Sequence, residues 1–330
     1  MKYFISYIDE EFLEAFFNLK PTDMEADGEE VEIWRHWKNF LQNKTDIDYT
    51  GKINFVDLAY ESLMTQIFND RLQGDNYLQI NSGKLEKTSA KELVTEATKP
   101  TFIFRNNLQN PELTEANTGI CCITGATFYE KWQHYFKPRS FAVSKNPINN
   151  RLEKWSDLFF TYRYPSNAFV IVDNYVLSYE PNIKHNLLRL LKEVLYTSKF
   201  VKTEIDMIIV CENFYKEIDD REVGIDKLYK EITGYLRNAS FLNVNLCIVK
   251  AKYHDRIILS NNFVITSGNS FNYFRYDGTT ALPENTTLKL TPLTCDYSSI
   301  ETYKAQLSNI IDQSTNFKGT KKNRLLKLFS

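Results

Sequence analysis

From residue 168 onward the chain alternates between short apolar runs and longer amphipathic stretches. AFVIVDNYVLS predicts a strand pair or one interrupted strand, with Asp173-Asn174 at the break. Pro181 opens a helix running to about residue 198, with Leu187, Leu190, Leu191 and Leu195 on its apolar face. EIDMIIVC then reads as a buried strand, GIDKLYKEITGYLRN as an amphipathic helix and NVNLCIVKA as a further strand. HDRIIL and FVITSG read as strands flanking a turn at Ser260-Asn261-Asn262. Strands alternating with helices of this length predict a three-layer α/β domain, a sheet covered on both faces. A last helix is expected over about 298–312, and NFKGTKKNRLLKLFS after it reads as a basic tail or a short docking helix.

The first 150 residues are less regular. FLEAFF and VEIWRHWKNFLQ have helical spacing, the second placing Ile33, Trp37 and Phe40 on one side. NFVDLAYESLMTQIF predicts another helix, buried through Phe55, Leu58, Leu63 and Ile67. Short strands are expected at Thr101-Phe104 and Gly119-Ile123, and the helix TFYEKWQHYF follows Gly125 and stops at Pro138. The pattern assigns 1–150 to a mixed α/β or mainly helical domain and 165–330 to the α/β domain. The boundary falls in the Pro-, Asn-, Lys- and Arg-rich stretch 138–165.

Composition narrows the class. Apolar residues make up 43% and charged residues 25%, the balance of a soluble globular protein. No segment approaches the roughly 20 apolar residues needed to span a bilayer, and MKYFISYIDEEFLEAFF lacks the marks of a secretory signal. A cytoplasmic location is expected. Five cysteines without CxxC spacing predict reduced, mostly buried thiols. The net charge of -2 hides an acidic stretch over 1–50 and basic ones over 131–163 and 318–327. A phosphate-bearing partner must therefore meet a local patch rather than the field of the whole protein. Twenty-three Phe and 20 Tyr supply core material and candidate platforms for bases or a partner protein. Phosphate-loop, HExxH, EF-hand and GxSxG motifs do not occur, so neither metal nor cofactor is expected.

Of four histidines, His36, His134 and His185 lie in predicted helices and read as structural or surface residues. His254 is different. On a strand it shares one face with Arg256, while Asp255 points to the other. Beyond the turn lie Ser267, Gly268, Asn269, Ser270 and Asn272, short polar groups able to meet the imidazole and guanidinium around one anion. Phosphodiester chemistry needs such a set: donors that neutralise phosphate oxygens, a fork that grips two of them, and a histidine that can attack phosphorus.

Here the stretch YHDRIILSNNFVITSGNSFNYF resembles the phospholipase-D-like superfamily. Its signature is a histidine and lysine two apart, an aspartate five further on, then Gly-Ser and an asparagine. His254 falls on the histidine, Arg256 on the lysine, Asn261 on the aspartate and Gly268 on the glycine. Ser270 and Asn272 match the later serine and asparagine with one residue inserted after Gly268. The resemblance covers about 168–274. It implies a metal-independent phosphodiesterase or nuclease in which His254 attacks or protonates, Arg256 binds the nonbridging oxygens, and Asn261, Ser270 and Asn272 position them. DNA or RNA would be the partner, and antiviral defence the setting. Family enzymes bring two motifs together, whereas this chain has one, so a homodimer would supply the second His254. Asn261 lacks the aspartate's charge, which Asp173 is expected to supply from the neighbouring strand, with Gly268 and Asn269 shaping the turn.

A second reading remains open: an inactive module of the same fold that binds nucleic acid, protein or an anionic head group, with the N-terminal domain specifying a protein partner. In a third, the protein is a scaffold and His254-Asp255-Arg256 is a polar strand end held by local hydrogen bonds.

Overall fold

A computed structural model describes residues 3–50, 78–80, 100–144, 150–159, 162–195, 204–275, 279 and 286–326. The chain divides into two compact units, Met1–Lys137 and Pro138–Ser330. Both are α/β.

The N-terminal unit runs β1 (Phe4–Asp9), α1 (Glu10–Asn18), α2 (Glu29–Asn39), β2 (Thr45–Thr50), β3 (Leu78–Ile80), β4 (Thr101–Phe104), α3 (Pro111–Thr118), β5 (Cys121–Ile123) and α4 (Phe128–Phe136). Its five strands lie in the order β3-β2-β1-β4-β5, every neighbouring pair parallel. Expectation and structure agree on α1, α2, β4, β5 and α4, whereas β1 and β2 have no counterpart in the sequence reading. The helix expected over 54–68 lies outside the described residues. The reason β1 and β2 escape notice is local: both carry buried polar residues. Ser6 Oγ and Thr45 Oγ1 are 2.7 Å apart across the pair and satisfy one another, so neither strand needs an unbroken apolar run. α1 is fixed at its start by Asp9, whose Oδ1 accepts the Phe12 amide at 2.8 Å.

Aromatic rings fill much of this unit's core. The fully buried Trp37 packs edge-on against Phe104 and Phe136 and donates its Nε1 to the Phe128 carbonyl at 3.2 Å. Beside β5 lies a buried ion pair, Lys131 with Glu115. Glu115 also accepts the Cys122 amide at 2.8 Å, and Lys131 also donates to the Cys122 carbonyl.

The C-terminal unit runs β6 (Arg139–Val143), a 3-10 turn (Trp155–Phe159), β7 (Ala168–Val172), α5 (Leu188–Val194), β8 (Ile205–Cys211), α6 (Ile225–Asn238), β9 (Val244–Lys250), β10 (Arg256–Ser260), β11 (Phe263–Ser267), β12 (Thr286–Pro292), α7 (Tyr297–Gln313) and β13 (Phe317–Gly319). A helical turn Glu180–Asn182 and a π turn Ile183–Leu187 lead directly into α5. The eight strands lie in the order β13-β9-β8-β7-β10-β11-β12-β6. Strands β7, β8 and β9 are parallel, and the remaining pairs are antiparallel. β7 and β8 are buried at every position. Since side chains alternate, both faces of the sheet are covered there.

Through residue 326 the C-terminal stretch forms neither a free tail nor a helix. It adds β13 to β9, and Gly319 turns with φ 103° where a Cβ would lie 2.2 Å from the Leu246 carbonyl oxygen. Asn323 is then buried, donating to the Phe169 carbonyl at 3.0 Å, while the Arg324 amide and Nε both reach Asp206 Oδ2 at 3.0 Å. Arg324 is thus spent inside the fold, whereas Lys318 and Lys322 remain exposed. Among the described residues no helix is long and apolar enough to cross a membrane.

Candidate functional site

The strand directions decide which side chains can meet. β7 ends at Val172, and Asp173 follows it at the carboxyl edge of the parallel strands. β10 runs antiparallel to β7, pairing Ile257 with Val172, so its first residue Arg256 starts at that same edge. β11 runs back alongside β10 and pairs Ser267 with Arg256, which returns Gly268, Asn269 and Ser270 to it. Ligands of open α/β sheets bind outside the carboxyl ends of strands, and this edge has that position.

Asp173 is its centre. The side chain is fully buried; Oδ2 accepts Ser270 Oγ at 2.7 Å and the Phe271 amide at 2.6 Å, and Oδ1 accepts the Tyr175 amide at 2.8 Å. Burial pushes its carboxyl above the ordinary 3.8, and these three donors with the Arg256 charge oppose the rise without cancelling it. Asn272 sits beside it, donating Nδ2 to the Tyr175 carbonyl at 2.8 Å. Its Oδ1 is buried and makes no hydrogen bond among the described residues.

Arg256 is half-buried, and its Nη1 donates to the His254 carbonyl at 2.7 Å. Its Nε is buried without a hydrogen-bond partner among the described residues. His254, expected on the strand, instead lies in the bend before β10, with 95% of its side chain exposed. Its Nδ1 stands 3.0 Å from Asp255 Oδ1. The strand begins two residues late because Asn174 holds the preceding loop: it donates Nδ2 to the Tyr253 carbonyl at 2.8 Å and accepts the Tyr253 amide at 3.2 Å. His254 and Arg256 are therefore joined through a backbone carbonyl rather than side by side on one strand face.

Asn261 is not part of this edge. Its Oδ1 accepts the Asn167 amide at 3.1 Å and the Ala168 amide at 3.4 Å, at the start of β7. Five strand residues at about 3.3 Å each put it roughly 17 Å from the Arg256 end. It closes the β10–β11 turn instead of positioning a ligand. Gly268 is exposed, and a Cβ there would come within 2.7 Å of Thr286 Oγ1. Asn269 donates its amide to Ser267 Oγ at 3.1 Å, and Ser267 also pairs with the buried Tyr273 hydroxyl. Both residues shape the turn that presents Ser270.

Two residues outside the expected set hold the site together. Asn174 is one. The other is Asn186, fully buried, which donates to the Phe274 carbonyl at 2.9 Å and accepts the Phe274 amide at 2.8 Å. An amide side chain can act on both backbone groups of one residue in this way, mimicking a strand neighbour. The sequence carries a signal for Asn186: it stands three residues after Ile183 and four before Leu190, on the buried face of an otherwise leucine-rich helix. The cysteines are buried, except for half-buried Cys295, and burial pushes the Cys211 thiol up to about 12.

No protein-family model matches the chain, and no curated protein matches it. Among solved structures it is similar to TrmBL2, an archaeal chromatin protein described as showing a novel mode of DNA binding. That match has 9% identity over 46% of this chain and 45% of the other, with a TM-score of 0.25. It is also similar to phosphatidylserine synthase of Haemophilus influenzae Rd KW20, at 12% identity over 56% of this chain and 39% of the other, with a TM-score of 0.30. The matched part is less than half of either protein, and similarity at this level carries no argument about activity.

Proposed function

We propose that the C-terminal unit is a phospholipase-D-like module that binds a phosphodiester of nucleic acid at the edge formed by Arg256, Asp173, Ser270 and Asn272. The observation that carries this reading is Arg256. Its guanidinium starts β10 at the carboxyl edge, is held by one backbone carbonyl through Nη1, and makes no other hydrogen bond among the described residues. A guanidinium held in this way has donors left for phosphate oxygens. The neighbouring Asp173 balances its charge, so affinity comes from directed hydrogen bonds more than from field.

Arg256→Gln tests the reading. Binding of a labelled oligonucleotide is expected to weaken about 10-fold or more, with the salt slope falling by about 1. An Arg256→Gln protein that binds as tightly as the parent, with the same slope, would overturn it.

A hydrolytic reading is favoured by one observation, the 3.0 Å pairing of His254 Nδ1 with Asp255, which orients the ring and leaves Nε2 as the candidate nucleophile. Catalysis would need a second His254 from a dimer. Turnover of DNA, RNA or a simple phosphodiester is then expected in the parent and abolished by His254→Ala, with binding retained. No turnover by the parent at a concentration where it is dimeric would leave only the binding role.

A further inference from the structure

Tyr175 stands at the edge of this site in an unusual combination of fixed backbone and solvated ring. Its amide donates to Asp173 Oδ1 at 2.8 Å, and its carbonyl accepts Asn272 Nδ2 at 2.8 Å, Ser178 Oγ at 2.7 Å and the Ser178 amide at 3.1 Å. Every polar backbone group of the residue is used. The residue nevertheless remains 46% exposed, and Tyr179, at the far end of the same turn, is 59% exposed. The residues between them that are apolar, Val176 and Leu177, are fully buried. The turn thus sinks its aliphatic side chains and keeps its two aromatic ones in water.

We propose that Tyr175 is a stacking platform for an unpaired nucleobase, and that the ligand of the Arg256 edge is a single strand; this rests on the phosphodiester reading above. A ring presented on a rigid backbone loses little conformational freedom on stacking. The Tyr175 amide and the Arg256 charge both act on Asp173, and Asn272 is tied to the Tyr175 carbonyl, so a phosphate at the guanidinium and a base on the ring belong to neighbouring parts of one nucleotide chain. In a duplex the base faces are already stacked on one another, and the platform has nothing to receive.

The test compares a labelled oligothymidine, an abasic oligonucleotide of the same length and charge, and a duplex. The parent protein is expected to bind the thymidine strand about 5- to 100-fold more tightly than the abasic one. Tyr175→Ala should bring the two to the same affinity, while Tyr175→Phe, which keeps the ring, should preserve the difference. Equal affinity of the parent for abasic and thymidine strands, with Arg256→Gln weakening both, would overturn the platform and leave the phosphodiester site standing. Tyr175→Ala weakening both strands by the same factor would also overturn it. A protein that ignores all three oligonucleotides but binds phosphatidylserine-containing vesicles would overturn both readings, placing the turn at a lipid surface.

Discussion

Replacing Lys131 with methionine is expected to destabilise the N-terminal unit by about 3–5 kcal/mol, because it leaves the Glu115 carboxylate buried without its cation. Glu115 and Lys131 are both almost fully buried, and together they hold the backbone of Cys122 from two sides. Burial already pushes the Glu115 carboxyl up from its ordinary 4.5, so the variant should take up a proton there. A group with a raised folded value contributes stability that is complete below its unfolded value and declines as pH rises through the window between the two. The Lys131→Met loss should therefore shrink as the pH is lowered toward 4.5, measured by denaturant unfolding across a pH series. The double change Lys131→Met with Glu115→Leu should recover a large part of the loss, since an apolar pair needs no mutual charge. A single variant as stable as the parent at pH 8 would show that the pair is not closed in solution.

A comparable loss is expected for Asp173→Ala. Three donors converge on that carboxylate, two of them backbone amides, and an unsatisfied buried donor costs about 1–3 kcal/mol. The expected destabilisation is about 2–5 kcal/mol, read from the denaturant midpoint at unchanged slope. Asp173→Asn should cost less, because it retains an acceptor oxygen and removes a charge that burial disfavours. The sign with pH follows from the raised carboxyl. The fold holds the Asp173 proton more tightly than the unfolded chain does, so the parent gains relative to Asp173→Asn as pH falls through the raised value to below 3.8. A gap between the two that widens toward neutral pH instead would contradict the buried position of this group.

The C-terminal unit was legible because its central strands are apolar throughout and its helices are amphipathic. Met207–Cys211 is a continuous apolar run of strand length, buried at every position, and Leu228, Ile232 and Leu236 mark one side of α6. The N-terminal sheet was harder to see because β1 and β2 meet through Ser6 and Thr45, whose pairing replaces an apolar contact. The candidate site was legible as a stretch of sequence but not as an arrangement. Matching by spacing grouped Asn261 with Arg256, although five residues along a strand carry a side chain the length of the sheet. It also placed His254 on β10, where the clamp by Asn174, a contact 79 residues distant in sequence, delays the strand. Asp173 is held by Ser270 and lies within reach of the Arg256 charge. Tyr175 carried no mark at all, since exposure of an aromatic ring is settled by what surrounds it in three dimensions.

The return of residues 317–324 to the sheet has a consequence for how the protein is made. Until β13 is laid down, β9 is an open edge offering unpaired amides and carbonyls, and Asp206 and the Phe169 carbonyl lack the partners that Arg324 and Asn323 bring. A ribosome-bound chain that has already emerged past β12 would hold a nearly finished sheet whose outer strand can still recruit a foreign one. The aggregation risk at β9 thus persists until residues 317–319 have emerged and paired with it.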